Sequence, residues 1–351
     1  MERVTLGTIA ARVGLSKFAV SRALAGKSGV SDETRRRVEE IAAELGYVRA
    51  APPAATPVIG LVFNDTDLIN SELQLRIHAG VQLEAQRRGY QVRARWIHDP
   101  DEIEETMRES QAGILVGPHD KGVQQRVYRL GIPIVRTSHF PDPLEAVDHV
   151  TGPDHEGGAA IADYLLRLGH REIAYVHGAP RYRGRVERLY GLREVLEKQE
   201  DAHYSDLRFE PDLTFAESLK ALQASGRDPT AFFCAHDGLA VTVVSELLRL
   251  GYRIPEDVSV VGFGDFASAT QISPQLTTVT LPGQQMGASC VRLLDDRLTG
   301  RIRENIPLRI TVAGHIVERD SSGVRRQLRG GAALAGPGTE HQSLDGPEDD
   351  R

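Results

Sequence analysis

Apolar positions fall into three distinct rhythms along the chain. The first occupies residues 5–47, where Leu6, Ile9, Ala10 and Val13 repeat at helical spacing between Thr5 and Gly14. A serine or threonine stands before each helical run and a glycine after it. Thr5 caps a helix over 6–13, Ser16 one over 17–24 closed by Gly26, and Ser31 a third, with Val38, Ile41, Ala42 and Leu45 inward and Gly46 as the stop. Asp32 and Glu33 sit in the positive first turn of that third helix. The predicted unit is three short helices closing a small core, with a tight turn between the first two.

The second rhythm starts at residue 58, where short apolar runs alternate with amphipathic stretches. Strands are predicted at 58–63, 91–96, 113–116, 132–135 and 149–151, separated by helices at 72–88, 101–109 and 121–130. The alternation restarts with helix 157–168, strand 173–176, helices 184–198 and 214–225, strand 230–234, helix 238–250 and strand 258–261. A last helix, 285–298, precedes strands near 308–318. This order predicts an α/β fold of two successive doubly wound parallel sheets, with a cleft between lobes. The third rhythm is none at all: residues 321–351 hold little apolar content after Leu334 and are expected to form a disordered tail. Between the first two regions, 49–57 contains Pro52, Pro53 and Pro57, which forbid a regular helix and predict an extended linker.

Charge sharpens this division. Residues 1–50 carry nine Lys/Arg against six Asp/Glu, a net of +3, whereas 51–320 carry 29 against 38, a net of −9. Lys17, Phe18, Ser21 and Arg22 lie on the side of the second helix not needed for its core. Lys17 and Arg22 can donate to guanine edges or phosphates, serine hydroxyls suit phosphates, and Phe18 can cover a thymine methyl. A short trihelical unit of this kind places one helix in the major groove.

Other chemistry is thin. Gly26-Lys27-Ser28 lacks the earlier glycine and preceding strand of a phosphate loop, and Gly262-Phe263-Gly264-Asp265-Phe266-Ala267 lacks the following helix of a dinucleotide site. The twelve histidines show no paired metal-ligand spacing, and no serine elbow is present. We therefore expect no catalysis, no cofactor and no metal. No run of 18 apolar residues exists, no apolar leader precedes the first helix, and Cys234 and Cys290 lie in apolar patterns. These features predict a cytoplasmic protein, not associated with a membrane, with two buried thiols.

The opening segment closely resembles the helix-turn-helix headpiece of the LacI/GalR family of bacterial repressors. The matching residues include Thr5-Leu6, Ile9-Ala10, Gly14-Leu15-Ser16, Val20-Ser21-Arg22-Ala23-Leu24, Val30-Ser31, Thr34-Arg35 and Leu45-Gly46-Tyr47. The remainder is similar to the same family's periplasmic-binding-protein-like core, through Leu168-Gly169-His170-Arg171, Arg188-Leu189-Tyr190-Gly191, Phe233-Cys234-Ala235-His236-Asp237 and Ser273-Pro274-Gln275-Leu276-Thr277-Thr278-Val279. The resemblance implies a homodimeric repressor that reads a palindromic operator through Thr5, Ser16, Lys17, Phe18, Ser21, Arg22 and Ser31. It also implies an effector, a sugar or sugar derivative, in the cleft near Asp154, Arg188, His236 and Asp265. It further implies domains at 1–48 and 58–320, and three chain crossings, with one lobe at 58–150 and 280–306 and the other at 152–278 and 308–320.

Several positions depart from the family pattern. His236 replaces an asparagine, Gly264 replaces the first of two acids, Leu281 replaces a glutamine, and the linker has no leucine to wedge into the minor groove. The departures predict an effector other than a plain neutral hexose, less polar or anionic, or an effector-independent regulator. On the residues alone, Arg188 also reads as a surface arginine, and Asp154 and His236 as helix caps.

Overall fold

The computed structural model describes residues 4–47, 56–64, 71–178, 182–208, 214–303 and 306–325. The chain divides into two compact units, Met1–Ala55 and Thr56–Arg351. Apart from Thr56 and Pro57, the expected linker lies outside the described residues, as do residues 326–351 of the expected tail.

The first unit is the predicted trihelical one: α1 (Leu6–Val13), α2 (Lys17–Leu24) and α3 (Asp32–Glu44). Each start is made by the predicted cap, with Thr5, Ser16 and Ser31 side chains accepting from the Thr8, Ala19 and Thr34 N–H groups. Thr5 and Thr8 cap each other reciprocally, and Gly14, in the left-handed region at φ 74°, turns the chain into α2. Ile9, Ala10, Val20, Ala23, Val38 and Ala42 form the buried centre. A core of six small or medium side chains leaves one flank of α2 entirely for other work.

The second unit has two lobes. The first is an all-parallel sheet in the order β11-β5-β4-β3-β1-β2, built from β1 (Val58–Phe63), β2 (Gln91–Trp96), β3 (Ala112–Val116), β4 (Ile134–Thr137), β5 (Asp148–Thr151) and β11 (Arg309–Thr311). Its helices are α4 (Ser71–Arg87), α5 (Pro100–Arg108), α6 (Lys121–Tyr128) and α11 (Gly283–Leu298). The second lobe is a parallel sheet in the order β7-β6-β8-β9, from β6 (Glu172–His177), β7 (His203–Arg208), β8 (Ala231–Cys234) and β9 (Ser259–Val261). Its helices are α7 (Asp154–Arg167), α8 (Arg183–Leu196), α9 (Phe215–Ala224) and α10 (Asp237–Arg249). Runs such as Ile59 to Phe63 are buried throughout, as a sheet covered on both faces requires.

The chain crosses between lobes after β5, after β10 (Thr278–Val279) and before β12 (Ile316–Val317), which pairs antiparallel with β10. The crossings are laced together: Val312 N–H donates to the Thr151 carbonyl at 2.9 Å, and Thr280 N–H to that of His315 at 2.9 Å.

Three expectations need correction. Strand β7 was not anticipated, because as an edge strand it buries only Leu207 and has no apolar run to announce it. Residues 309–311 pair with β5 in the first sheet, so the third crossing falls after them rather than before 308. The tail does not begin at 321. Ser321 is fully buried, its hydroxyl donating to the Val260 carbonyl at 2.6 Å, and His170 reaches the Gly323 carbonyl at 3.2 Å. Hydrogen bonding rather than apolar burial pins this stretch, so hydrophobic patterning misses it.

Candidate functional site

Two sites stand out, one in each unit. On α2, burial of Val20 and Ala23 turns Lys17, Phe18 and Ser21 to solvent, with Phe18 70% exposed. A phenylalanine so exposed on a helix with a satisfied core has no packing role within its own unit. Arg22 donates through Nε to the Ser28 carbonyl at 3.0 Å, and its guanidinium lies 5.6 Å from the Phe18 ring centroid. The turn after α2 therefore holds the arginine beside the aromatic ring. Thr5, Ser16 and Ser31 are exposed caps whose hydroxyls accept from backbone and still carry a hydrogen to donate.

The second site is a cleft cavity that opens to solvent. It lies where the lobes meet, beyond the carboxyl ends of the strands, the usual ligand position in parallel sheets. Its floor comes from a tight crossing of α7 and α8. A Cβ on Gly158 would stand 2.1 Å from the Arg188 carbonyl oxygen, and one on Gly191 2.0 Å from that of His155. Only glycine permits this approach, and it brings Arg188 onto Asp154. Nε and one terminal nitrogen of Arg188 both lie 2.8 Å from Asp154 Oδ1. The other terminal nitrogen donates to the Ala235 carbonyl, and the guanidinium lies 3.8 Å from the Phe263 ring centroid. Arg188 is thus a buried, fully oriented cation rather than a surface arginine.

Asp154 is the first residue of α7, after Pro153, and makes no side-chain capping bond, so its carboxylate belongs to Arg188. His236 does cap a helix: its Nδ1 accepts from Leu239 N–H at 3.1 Å, while the ring lines the cavity. Accepting at Nδ1 fixes the proton on Nε2. The next residue, Asp237, is fully buried and accepts from Thr278 Oγ1 at 2.6 Å and Phe266 N–H at 2.8 Å. Burial pushes its carboxyl pKa up against the pull of these hydrogen bonds.

Asp265 is a correction. It does not line the cavity: left-handed at φ 51°, it turns its carboxylate to Arg319, 2.6 Å away. The missing acid at Gly264 is therefore not compensated by its neighbour. Leu281 faces the cavity, as its departure from the family pattern implies. Sequence reasoning missed Tyr182, Arg183 and Arg185, which open α8 at the cavity wall, and Phe140 and Phe266 opposite them. The run Arg181-Tyr182-Arg183-Gly184-Arg185 was the available signal, a dense cluster of cations before a helix.

Comparison with known proteins decides the family. The regulatory family described as lacI-type bacterial regulatory proteins matches residues 5–50, and a periplasmic binding protein-like domain matches 162–322. The HTH-type transcriptional regulator CelR of Thermobifida fusca is 31% identical over 341 residues, covering 91% of this chain and 98% of that protein. The chain belongs to the LacI family. Other relatives include the PurR repressor of Vibrio cholerae, 30% identical over 90% of this chain and 97% of its own length. The ribose operon repressor of Haemophilus influenzae is 29% identical over 84% of this chain and 92% of its own length. A solved CelR–cellobiose complex superposes with a TM-score of 0.66, at 29% identity, over 91% of this chain and all of that one. As a LacI-family member the protein is a DNA-binding transcriptional regulator. No described helix is long and apolar enough to cross a membrane.

Proposed function

We propose that the protein is a homodimeric repressor that reads a palindromic operator through α2 and is controlled by a small carbohydrate-type effector in the interlobe cleft. The observation that carries this reading is the coexistence, in one chain, of an α2 flank with no internal packing role and a cavity floored by the oriented Arg188–Asp154 pair. Lys17, Phe18, Ser21 and Arg22 contact base edges and nearby phosphates, and Thr5, Ser16 and Ser31 hydroxyls donate to phosphates. A two-fold dimer presents two such headpieces at matched spacing. In the cleft, Arg188 and the Nε2–H of His236 donate to ligand oxygens, while Asp154 sets the arginine's plane. CelR, whose solved complex holds cellobiose, supports a carbohydrate as the ligand type. Ligand favours one lobe arrangement over the other and so biases operator affinity. The protein acts in the bacterial cytoplasm, as its target requires, and carries out no reaction.

Genomic footprinting with purified protein, with and without candidate effectors, tests this reading. We expect discrete palindromic footprints that Lys17→Ala or Arg22→Ala weakens by about tenfold or more, each lost base contact being worth about 1–3 kcal/mol. Binding no tighter than to scrambled competitor DNA at modest salt would overturn it.

A further inference from the structure

Helix α2 divides its outer side between two tasks. Lys17 leans back over the start of α1: a Cβ on Gly7 would stand 2.9 Å from Lys17 Cε and 3.4 Å from Thr5 Oγ1. Phe18 and Arg22, one turn apart, meet each other instead, with the guanidinium 5.6 Å from the ring centroid. The turn Gly26-Lys27-Ser28-Gly29, which lacks the setting of a phosphate loop, holds this pair in place. Lys27 N–H donates to the Arg22 carbonyl at 3.1 Å, and Arg35 donates to the Lys27 carbonyl at 3.3 Å. Gly29 is left-handed at φ 93°, and a Cβ there would stand 3.4 Å from a terminal nitrogen of Arg22. The turn so fixed aims the Ser28 carbonyl at Arg22, accepting from Nε at 3.0 Å and from the adjoining terminal nitrogen. One edge of the guanidinium is therefore committed to the turn. The edge between its two terminal nitrogens is left for another acceptor.

The ring has a narrower choice of partner. A phenyl group gains nothing at a phosphate, and a polar base edge pressed against it loses water without a hydrogen bond in return. The thymine methyl is the apolar group that base edges offer in the major groove. Guanine presents two acceptors, O6 and N7, to the remaining two-pronged edge of an arginine. Base pairs stack about 3.4 Å apart, so two touching side chains on one helix face meet adjacent pairs. Building on the operator reading above, we propose that Phe18 and Arg22 work as one reading unit, which selects a guanine with a thymine in the neighbouring base pair. Phe18 is then the specificity determinant of that step: it takes the methyl, and its ring keeps the guanidinium plane in line with the guanine edge.

The test starts from an operator defined by footprinting and uses the full-length protein. In one half-site, each guanine is replaced in turn by its deaza analogue, which lacks the N7 acceptor, and each thymine by uracil, which lacks only the methyl. Affinity is read by fluorescence anisotropy at one fixed salt concentration. We expect one guanine whose replacement costs about tenfold in the unaltered protein and nothing in Arg22→Ala. In the pair beside it, one thymine should cost about three- to fivefold on conversion to uracil, the worth of one buried methyl. Phe18→Ala removes an exposed side chain and leaves the headpiece core intact; it should bind the thymine and uracil operators alike. Phe18→Leu keeps an apolar group there and should retain part of the difference. If no thymine beside that guanine responds to loss of its methyl, or if Phe18→Ala keeps the full uracil penalty, the paired reading is overturned and operator binding stands. Absence of any footprint would overturn both.

Discussion

The two lobes of the core use one device for two purposes. Each packs a pair of helices so closely that glycine is required at the crossing. In the first lobe a Cβ on Gly80 would stand 1.9 Å from the Gln284 carbonyl oxygen and one on Gly287 2.2 Å from that of Ile77; Gly158 and Gly191 repeat the arrangement in the second. The lobes differ in which turn of the helix pair carries the charge. In the first, the buried charge lies far from the cleft. Glu84 pairs with Arg88 and Arg292, and Asp295 with Arg88, Arg301 and the Tyr90 hydroxyl. Burial alone would raise the Asp295 pKa, but its hydrogen bonds from Tyr90, Arg88 and Arg301 hold it below the ordinary value. At the cleft end of the same crossing the cavity-lining residues are the apolar Leu73 and Met286, beside a half-exposed Glu72–Arg76 pair. In the second lobe the buried pair, Asp154–Arg188, sits at the cleft itself. One crossing thus makes a structural clasp and the other a binding floor, with little change to the scaffold.

Acid is the strongest way to separate the lobes. Burial is the main cause that lowers the pKa of His119 to about 4 and of His149 to about 3 in the first lobe, and of His170 to about 4 in the second. A histidine with a depressed folded pKa stabilises the fold above its unfolded value, near 6.5, and that contribution drains as pH falls toward the folded pKa. Each such group costs about 1.4 kcal/mol per pH unit in this window. Asp237, raised chiefly by burial, works the other way in the second lobe, since its folded form takes up a proton first as pH drops. Hydrogen exchange between pH 6.5 and 4.5 should show the first lobe losing protection about twice as steeply as the second. Residues 1–55 contain no histidine, so the headpiece should hold its protection between pH 7 and 5.5. Parallel loss in both lobes would break the comparison.

Substitution at the crossings gives the next largest effect. Gly191→Ala and Gly287→Ala each push a methyl into backbone, and each should cost about 3 kcal/mol in denaturant unfolding. Only Gly191→Ala should also abolish ligand-induced thermal stabilisation, because only that crossing positions Arg188. Cutting the ion pairs divides the roles further. Asp295→Asn should destabilise the core only modestly and leave ligand affinity unchanged, since its partners Arg88 and Arg301 stay in reach of water, far from the cleft. Asp154→Asn should destabilise by about 2–3 kcal/mol, because it strands the buried Arg188, and should lower ligand affinity at least about tenfold, because Arg188 loses the acceptor that sets its plane. Equal effects of the two on ligand binding would erase the distinction.

These contrasts were only partly legible in the sequence. The headpiece was readable because caps, turn glycines and apolar periodicity are local signals that agree. The sheets were readable because buried parallel strands are continuous apolar runs. Strand β7 escaped because its one buried side chain, Leu207, cannot announce a strand, and β11 was assigned to the wrong lobe because sheet membership is a long-range fact. Arg188 and His236 were visible as candidates, yet whether the arginine was buried depended on two glycines in different helices. Asp265 followed its motif but not its motif's geometry: a left-handed backbone turned it from the cavity to Arg319. Arg183 and Arg185 were plain as charge, but their place on the wall is a matter of helix position rather than pattern.

The smallest expected effect tests how the lobes are joined. The first turns of α4 reach across to the second lobe. Glu72 accepts from Ala267 N–H at 3.0 Å, and Arg76, itself 2.6 Å from Glu72, donates to the Asp265 carbonyl at 2.8 Å. The Arg76 guanidinium also lies 5.2 Å from the Phe266 ring centroid, and Phe266 lines the cavity. This bridge is half-exposed, so its worth is about 0.5–1 kcal/mol. Glu72→Gln weakens it without removing the side chain. If the bridge belongs to the ligand-favoured arrangement, the variant should bind ligand about two- to fivefold more weakly, by the share of the population shifted. Operator affinity measured without ligand should move in whichever direction opposes the ligand's own effect, because both report one equilibrium between lobe arrangements. A variant that changes ligand affinity while leaving operator affinity fixed would mean that lobe closure and DNA binding are not coupled through α4.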